Sequence, residues 1–230
     1  MYKKIFFVVI FMGFYFNLIA QNFVLIDTND RRLQQYNNNL MNYFISKNEN
    51  IVHETIDVYR RAYRNNILDE IDVIVIHFFY GIKIHDHEKY DRYFSIIKQS
   101  NIQRLLGLFE IIETYDLELH LLNHNVVPQL NDIYWTLYFS SENTKYLDRI
   151  IDFINNYNNE TEDLFSYLTA RAALFSFMAN IKVYPTVLDY IQNTSNLSND
   201  LKYYIINQTI DHLNMETVNY LRIQRENGIW

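Results

Sequence analysis

Apolar residues recur along most of this chain at spacings of three and four, the repeat that lays side chains on one face of an α-helix. The pattern is clearest from Asp132 to Ile154. Ile133, Trp135, Leu137 and Tyr138 make a bulky first arm, which Ser140 to Asn143 interrupt with short polar side chains that compete for backbone hydrogen bonds. Asn143 is placed to cap a second arm, in which Tyr146, Leu147, Ile150, Ile151 and Ile154 share a face opposite Asp148, Arg149 and Asp152. A helical hairpin with one apolar side is not stable alone in water, so this pattern predicts further helices docked around it.

The remaining segments read the same way. Asp27 to Asp30 supply capping residues ahead of a helix facing inward through Leu33, Tyr36, Leu40 and Phe44, and Lys47 to Asn50 end it. Asn50 opens a second helix with Ile51, Ile56, Tyr59 and Tyr63 inward. Arg60, Arg61 and Arg64 sit toward its C-terminal end, a solvated basic cluster rather than a binding patch, since Glu54, Asp57, Asp69 and Glu70 lie nearby. Ile71 to Tyr80 is almost unbroken in apolar residues. Its acidic start at Asp69 and Glu70, with Gly81 at the far end, predicts a central buried helix. Asp86 caps a helix carrying Tyr90, Phe94 and Ile97, and Ser100 with Gln103 matches a capping box for the next, through Leu105, Leu106, Phe109 and Ile112. Leu117, Leu119 and Leu121 alternate as in a strand, yet they fit a continued helix equally well. Pro128 opens the hairpin. Thr161 is read as the cap of a helix from Glu162 to Asn180 whose Ala170, Ala172, Ala173 and Ala179 permit close approach; helices over 185–191, 198–213 and 216–226 complete the chain.

Two runs resemble a set of exported bacterial all-helical proteins that carry no assigned activity. Trp135, Tyr138, Phe139, Ser140, Ser141, Asn143, Tyr146, Leu147 and Ile150 match a run of a Trp, paired aromatics, a small-residue turn and an aromatic-aliphatic helix. Ala172, Ala173, Phe175, Ser176, Asn180 and Pro185 match a second run. Glu142 stands where that set has Gly, and Tyr184 where it has His. The likeness spans about a quarter of the chain; it implies a helical fold and export, and no activity.

Composition narrows the picture. With only 4 Gly and 2 Pro against 20 Tyr and 16 Phe, the chain has little of the turn punctuation that sheets need. At 230 residues it has room for one domain with a sizeable core. The N-terminus has the layout of a secretory signal: Lys3 and Lys4, an apolar run from Ile5 to Phe16, and a small residue at Ala20, after which cleavage is expected. That run is shorter than the roughly 20 residues that span a bilayer. The division is therefore a signal peptide over 1–20 and a single helical domain over 21–230. Lys3 and Lys4 are the only charges in the first segment, so its removal takes the formal charge from -7 to -9. An acidic chain repels phosphate backbones and anionic headgroups, which argues against nucleic acid and against a membrane after cleavage. With no Cys there is neither a disulfide nor a lipid-bearing thiol.

Candidate chemistry is sparse. Asp116, His120 and His124 lie four apart, so a helix would present two imidazoles and a carboxylate on one stripe, the residue types that zinc takes, although HExxH is absent. His85 and His87, beside Asp86 and Glu88, form a second polar cluster. His77, on the apolar segment, reads as a hydrogen-bonded core histidine. There is no G-x-S-x-G elbow, no P-loop and no dinucleotide fingerprint, and no cofactor is expected. Trp135 reads as a core anchor, and Asn180 with Pro185 as the tie between one helix and the next.

The sequence thus predicts an all-α chain, an irregular array of about ten antiparallel helices open to solenoid-like stacking. The functional expectation is an exported, periplasmic or extracellular, non-catalytic protein that binds another protein or serves as a scaffold. Two alternatives stand beside it: a metal-dependent hydrolase built on the histidines from His77 to His124, and an immunity or inhibitor protein for a secreted toxin.

Overall fold

The structure, a computed structural model, describes residues 31–62, 68–114, 116–122, 125–158 and 163–229. Among them are thirteen helices and no strand, so the protein is all-α. The proposed signal segment, Tyr63, Arg64, His124 and Thr161 lie outside the described residues. No helix among the described residues is long and apolar enough to cross a membrane. The chain divides into two compact units, one of residues 24–125 and 132–147, the other of residues 126–131 and 148–230.

The first unit holds α1 (Arg31–Met41), α2 (Tyr43–Ser46), α3 (Ile51–Ala62), α4 (Leu68–His85), α5 (His87–Ser100), α6 (Gln103–Thr114), α7 (Leu117–Leu122) and most of α8 (Gln129–Ser141). Its centre is α4, the apolar run expected to be central. Ile71, Val75, Phe78, Phe79 and Ile82 are fully buried, and α5 and α6 pack against the helix. Phe79 meets Tyr93 edge-on at 6.0 Å and Phe109 at 4.9 Å, arrangements that suit the ring quadrupoles. Gly81 does not end this helix as expected. It lies inside it, where a Cβ would come within 1.9 Å of Ser140 Oγ and 2.9 Å of Ser140 Cβ. The missing side chain admits α8, and α4 continues a further turn to His85.

Local chemistry explains most of the boundaries in this unit. Asp86 caps α5, its carboxylate accepting from the Lys89 amide at 2.9 Å. Lys47 ends α2 in the left-handed region, at φ 46°. The capping box expected at Ser100 and Gln103 does not form: Ser100 remains in α5 with its hydroxyl donating to the Ile97 carbonyl at 2.7 Å, and Asn101 makes the reversal at φ 56°. Over 117–122 the helix wins over the strand alternation. Asp116 caps α7 by accepting from the Leu119 amide at 2.9 Å, which buries Leu117 and Leu121, four apart, and leaves Leu119 exposed. The hairpin break also falls later than expected, because Ser140 and Ser141 bond back to carbonyls of their own helix and α8 runs through them. Glu142 makes the reversal at φ 58°, where the resembled set has glycine. Asn143 then caps the next helix from its side chain, accepting from the Lys145 amide at 3.1 Å.

The second unit holds the start of α8, most of α9 (Lys145–Tyr157), and α10 (Leu164–Asn180), α11 (Pro185–Asn193), α12 (Asn199–Asn207) and α13 (Ile210–Glu226). Here the central element is α10. It is buried almost all round, and α11, α12 and α13 pack on it. Asp163, rather than Thr161, caps it, accepting from the Phe165 and Ser166 amides. Ala170 and Ala173 are fully buried. The helix expected over 198–213 instead breaks at Gln208, because the Thr209 hydroxyl caps a new helix by accepting from the His212 amide at 3.1 Å. From there α13 runs without interruption through the loop expected at residues 214 and 215.

Candidate functional site

Among the described residues the histidines singled out from sequence form no metal-binding group. His85 ends α4 and His87 begins α5, both exposed, the latter 3.7 Å from Asp91. Asp116 is occupied as the cap of α7, and His120 lies exposed on that helix; His124 is outside the described residues. Among the described residues no group of three or more His, Cys, Asp or Glu could hold a metal ion. His77 is a core histidine. Its Nδ1 lies 2.6 Å from the Val73 carbonyl, and burial, with the nearby charge of His120, pushes its pKa down to about 4. The ring is therefore neutral near pH 7, donating from Nδ1.

Trp135 is fully buried, stacked on Phe139 at 5.5 Å and edge-on to Tyr138 at 5.9 Å. Asn180 ends α10, and its backbone carbonyl, rather than its amide, ties down the following turn by accepting from Val183 and Tyr184 at 3.1 and 2.8 Å. Pro185 then starts α11. One carboxyl passed over in the sequence is Asp132, in the first turn of α8. Burial alone pushes its pKa up to about 7, although part of the residue still meets solvent.

A polar cluster in the second unit centres on Arg171, midway along α10 and buried. Its Nε donates to Thr217 Oγ1 at 2.8 Å, Nη1 to Asn158 Oδ1 at 3.1 Å, and Nη2 to the Leu213 carbonyl at 3.2 Å and to Glu216 Oε2 at 3.1 Å. The guanidinium also lies 5.9 Å from the Tyr167 ring centroid. Glu216 accepts in addition from the Tyr204 hydroxyl, and its other oxygen is 3.2 Å from His212 Nε2. Burial would raise the Glu216 pKa, but the bonds from Tyr204 and Arg171 outweigh it and hold the group below the usual carboxylate range. Tyr204 is pushed up to about 12 by burial and by its bond to Glu216. All three guanidinium nitrogens thus donate, to acceptors on α13 and in the loop after α9. The cluster is a clasp. Its chemistry is to hold α12 and α13 on α10, with Tyr204, His212 and Glu216 at the wet edge.

That clasp fixes which side of α13 meets water. Leu213 and Thr217 are buried toward α10, and Tyr220 packs on Tyr167 with centroids 4.4 Å apart. The opposite face carries Asp211, Met215, Val218, Arg222 and Arg225, all exposed and separated alternately by four and three residues. Met215 is 60% exposed and Val218 59%. Apolar side chains at heptad spacing on a helix already docked by its other side are the geometry by which helices receive a further helix. The charge order is acidic at the N-terminal end and basic at the C-terminal end.

No protein-family model, no curated protein and no solved structure matches this chain. The class established by the fold is an all-α protein, and any function must be argued from its own surface.

Proposed function

We propose that this protein is exported and acts without catalysis, through contact with another protein chain, as a binding partner or scaffold in the periplasm or outside the cell. The observation that carries the proposal is the outward face of α13, where Met215 and Val218 stand mostly in solvent at heptad spacing. The cationic, apolar and small-residue order of the N-terminus supports the export half, as does the resemblance to exported helical proteins.

The test is affinity capture with tagged protein from an envelope extract, run beside a Val218→Glu variant. A stoichiometric protein partner, whether foreign or a second copy, is expected with the unaltered chain and lost with the variant. Recovery of nothing, or of a partner indifferent to Val218, sinks the reading. Export is checked separately by N-terminal sequencing, which should begin at Gln21.

A further inference from the structure

The order of charges along the outward face of α13 selects its occupant. Asp211 precedes the two apolar residues Met215 and Val218, and Arg222 follows them, each exposed and on the same stripe. A second copy laid antiparallel, with the twofold axis between Met215 and Val218, sets Met215 against the partner's Val218 and Asp211 against the partner's Arg222. Both apolar layers are then flanked by opposite charges at each end. A parallel copy would oppose Asp211 to the partner's Asp211 and Arg222 to the partner's Arg222, and like charges facing each other are repelled.

We propose that the protein self-associates as an antiparallel dimer through the Asp211, Met215, Val218 and Arg222 face of α13. This rests on the protein-contact reading above and names the partner as a second copy. The helix macrodipole favours acid at the start and base at the end of any helix, so it accounts for Asp211 and Arg222 separately. It does not call for Met215 and Val218 between them. Arg222 also donates to Glu226 at 2.9 Å, an exposed pair within the helix that is weak enough to be exchanged for an intermolecular one. Two apolar layers on a helix of 17 residues make a small contact, at the low end of specific interfaces, so the dimer is concentration-dependent rather than permanent.

Sedimentation of the protein purified from full-length expression should show its mass double between low micromolar and several hundred micromolar concentration. Asp211→Arg alone, and Arg222→Asp alone, should each weaken the dimer by roughly ten- to a hundredfold by opposing like charges. The two changes together in one chain restore opposite charges and should restore the dimer. Circular dichroism of each variant shows whether α13 stays folded, and the double variant keeps the test valid even if one single variant is impaired. A monomer at all concentrations, or a dimer indifferent to the single reversals, overturns the proposal, as does failure of the double reversal to recover what the single ones lose. If the unaltered chain stays monomeric while Val218→Glu still abolishes capture of a foreign protein, self-pairing falls and the protein-contact reading stands. If neither is seen, both fall.

Discussion

The two units are each organised around one buried helix, and the two helices are built on different principles. In α4 the buried residues are aliphatic and aromatic, with His77 the one buried polar side chain among those described, and closeness to α8 comes from leaving out a side chain at Gly81. In α10 the buried residues include Ser166, Thr169, Arg171, Ser176 and Asn180, and the guanidinium of Arg171 reaches α13 and Asn158 with four hydrogen bonds. The buried face of α4 is held by shape, with directional bonds confined to its half-buried edges, where Asp72 accepts from Tyr59 and Arg104 and Lys83 donates to the Ile112 carbonyl. A buried guanidinium is held by direction. Its acceptors must be present at set positions, so it registers the neighbouring helices at the risk of a large loss when one partner is missing.

Removing the guanidinium should therefore give the largest effect. Arg171→Ala removes the donor shared by Thr217, Asn158, the Leu213 carbonyl and Glu216 and opens a cavity, and should cost about 3 kcal/mol in urea unfolding. Arg171→Lys keeps the charge but cannot serve the same acceptors, and should recover less than half of that loss. Hydrogen exchange should show the loosening in α12 and α13 while α4 keeps its protection; equal loosening of both central helices would erase the distinction drawn here. Gly81→Ala is the reciprocal change. Its new Cβ meets the Ser140 side chain, whose Cβ and Oγ belong to a buried residue, and overpacking of this kind should cost about 2 kcal/mol. Adding Ser140→Gly removes both clashing atoms and should restore most of the stability.

A smaller effect, with a sign set by pH, is expected at Asp132. Its pKa rises from 3.8 to about 7 on folding, so between those values the folded state keeps a proton that the unfolded chain releases. Stability from this group is full below pH 4, declines as pH rises, and is lost above 7. Asp132→Asn should thus raise the thermal midpoint at pH 8 and leave it nearly unchanged at pH 4; an equal shift at both would show that burial does not act on the charge. Glu216 runs the other way. Its pKa is lowered, so its contribution is present above the ordinary carboxylate range and fades on acidification through the folded value. The smallest expected effect is at the α8–α9 turn. Glu142→Gly relieves the left-handed backbone at φ 58° but gives up the exposed ion pair with Lys47, for a net gain of about 0.5 kcal/mol.

Helix identity was legible in the chain because it is written in local spacing. The apolar run of α4, the cap at Asp86, the buried Trp135 and the hairpin around Asn143 all follow from residues within a turn or two of one another. Boundaries fared worse where two local signals competed. Ser100 offered a capping box yet bonded back within α5, and Gly81 looked like a terminator because glycine usually ends helices. The outward face of α13 was hidden by one such error. With a break drawn at residues 214 and 215, Asp211 belongs to one helix and Val218 to the next, and the stripe does not exist.

Sequence alone determined that this protein is helical and which residues are oily, since both depend on the backbone and the side chain in place. Only the tertiary structure decided that an arginine in an alanine-bearing helix is buried, that a glycine marks a crossing, and that Met215 and Val218 face water while Leu213 does not. The reason is physical. Burial is a property of pairs of surfaces, and the α13 partners of Arg171 and the Ser140 neighbour of Gly81 lie more than forty residues away along the chain, where no local pattern can register them.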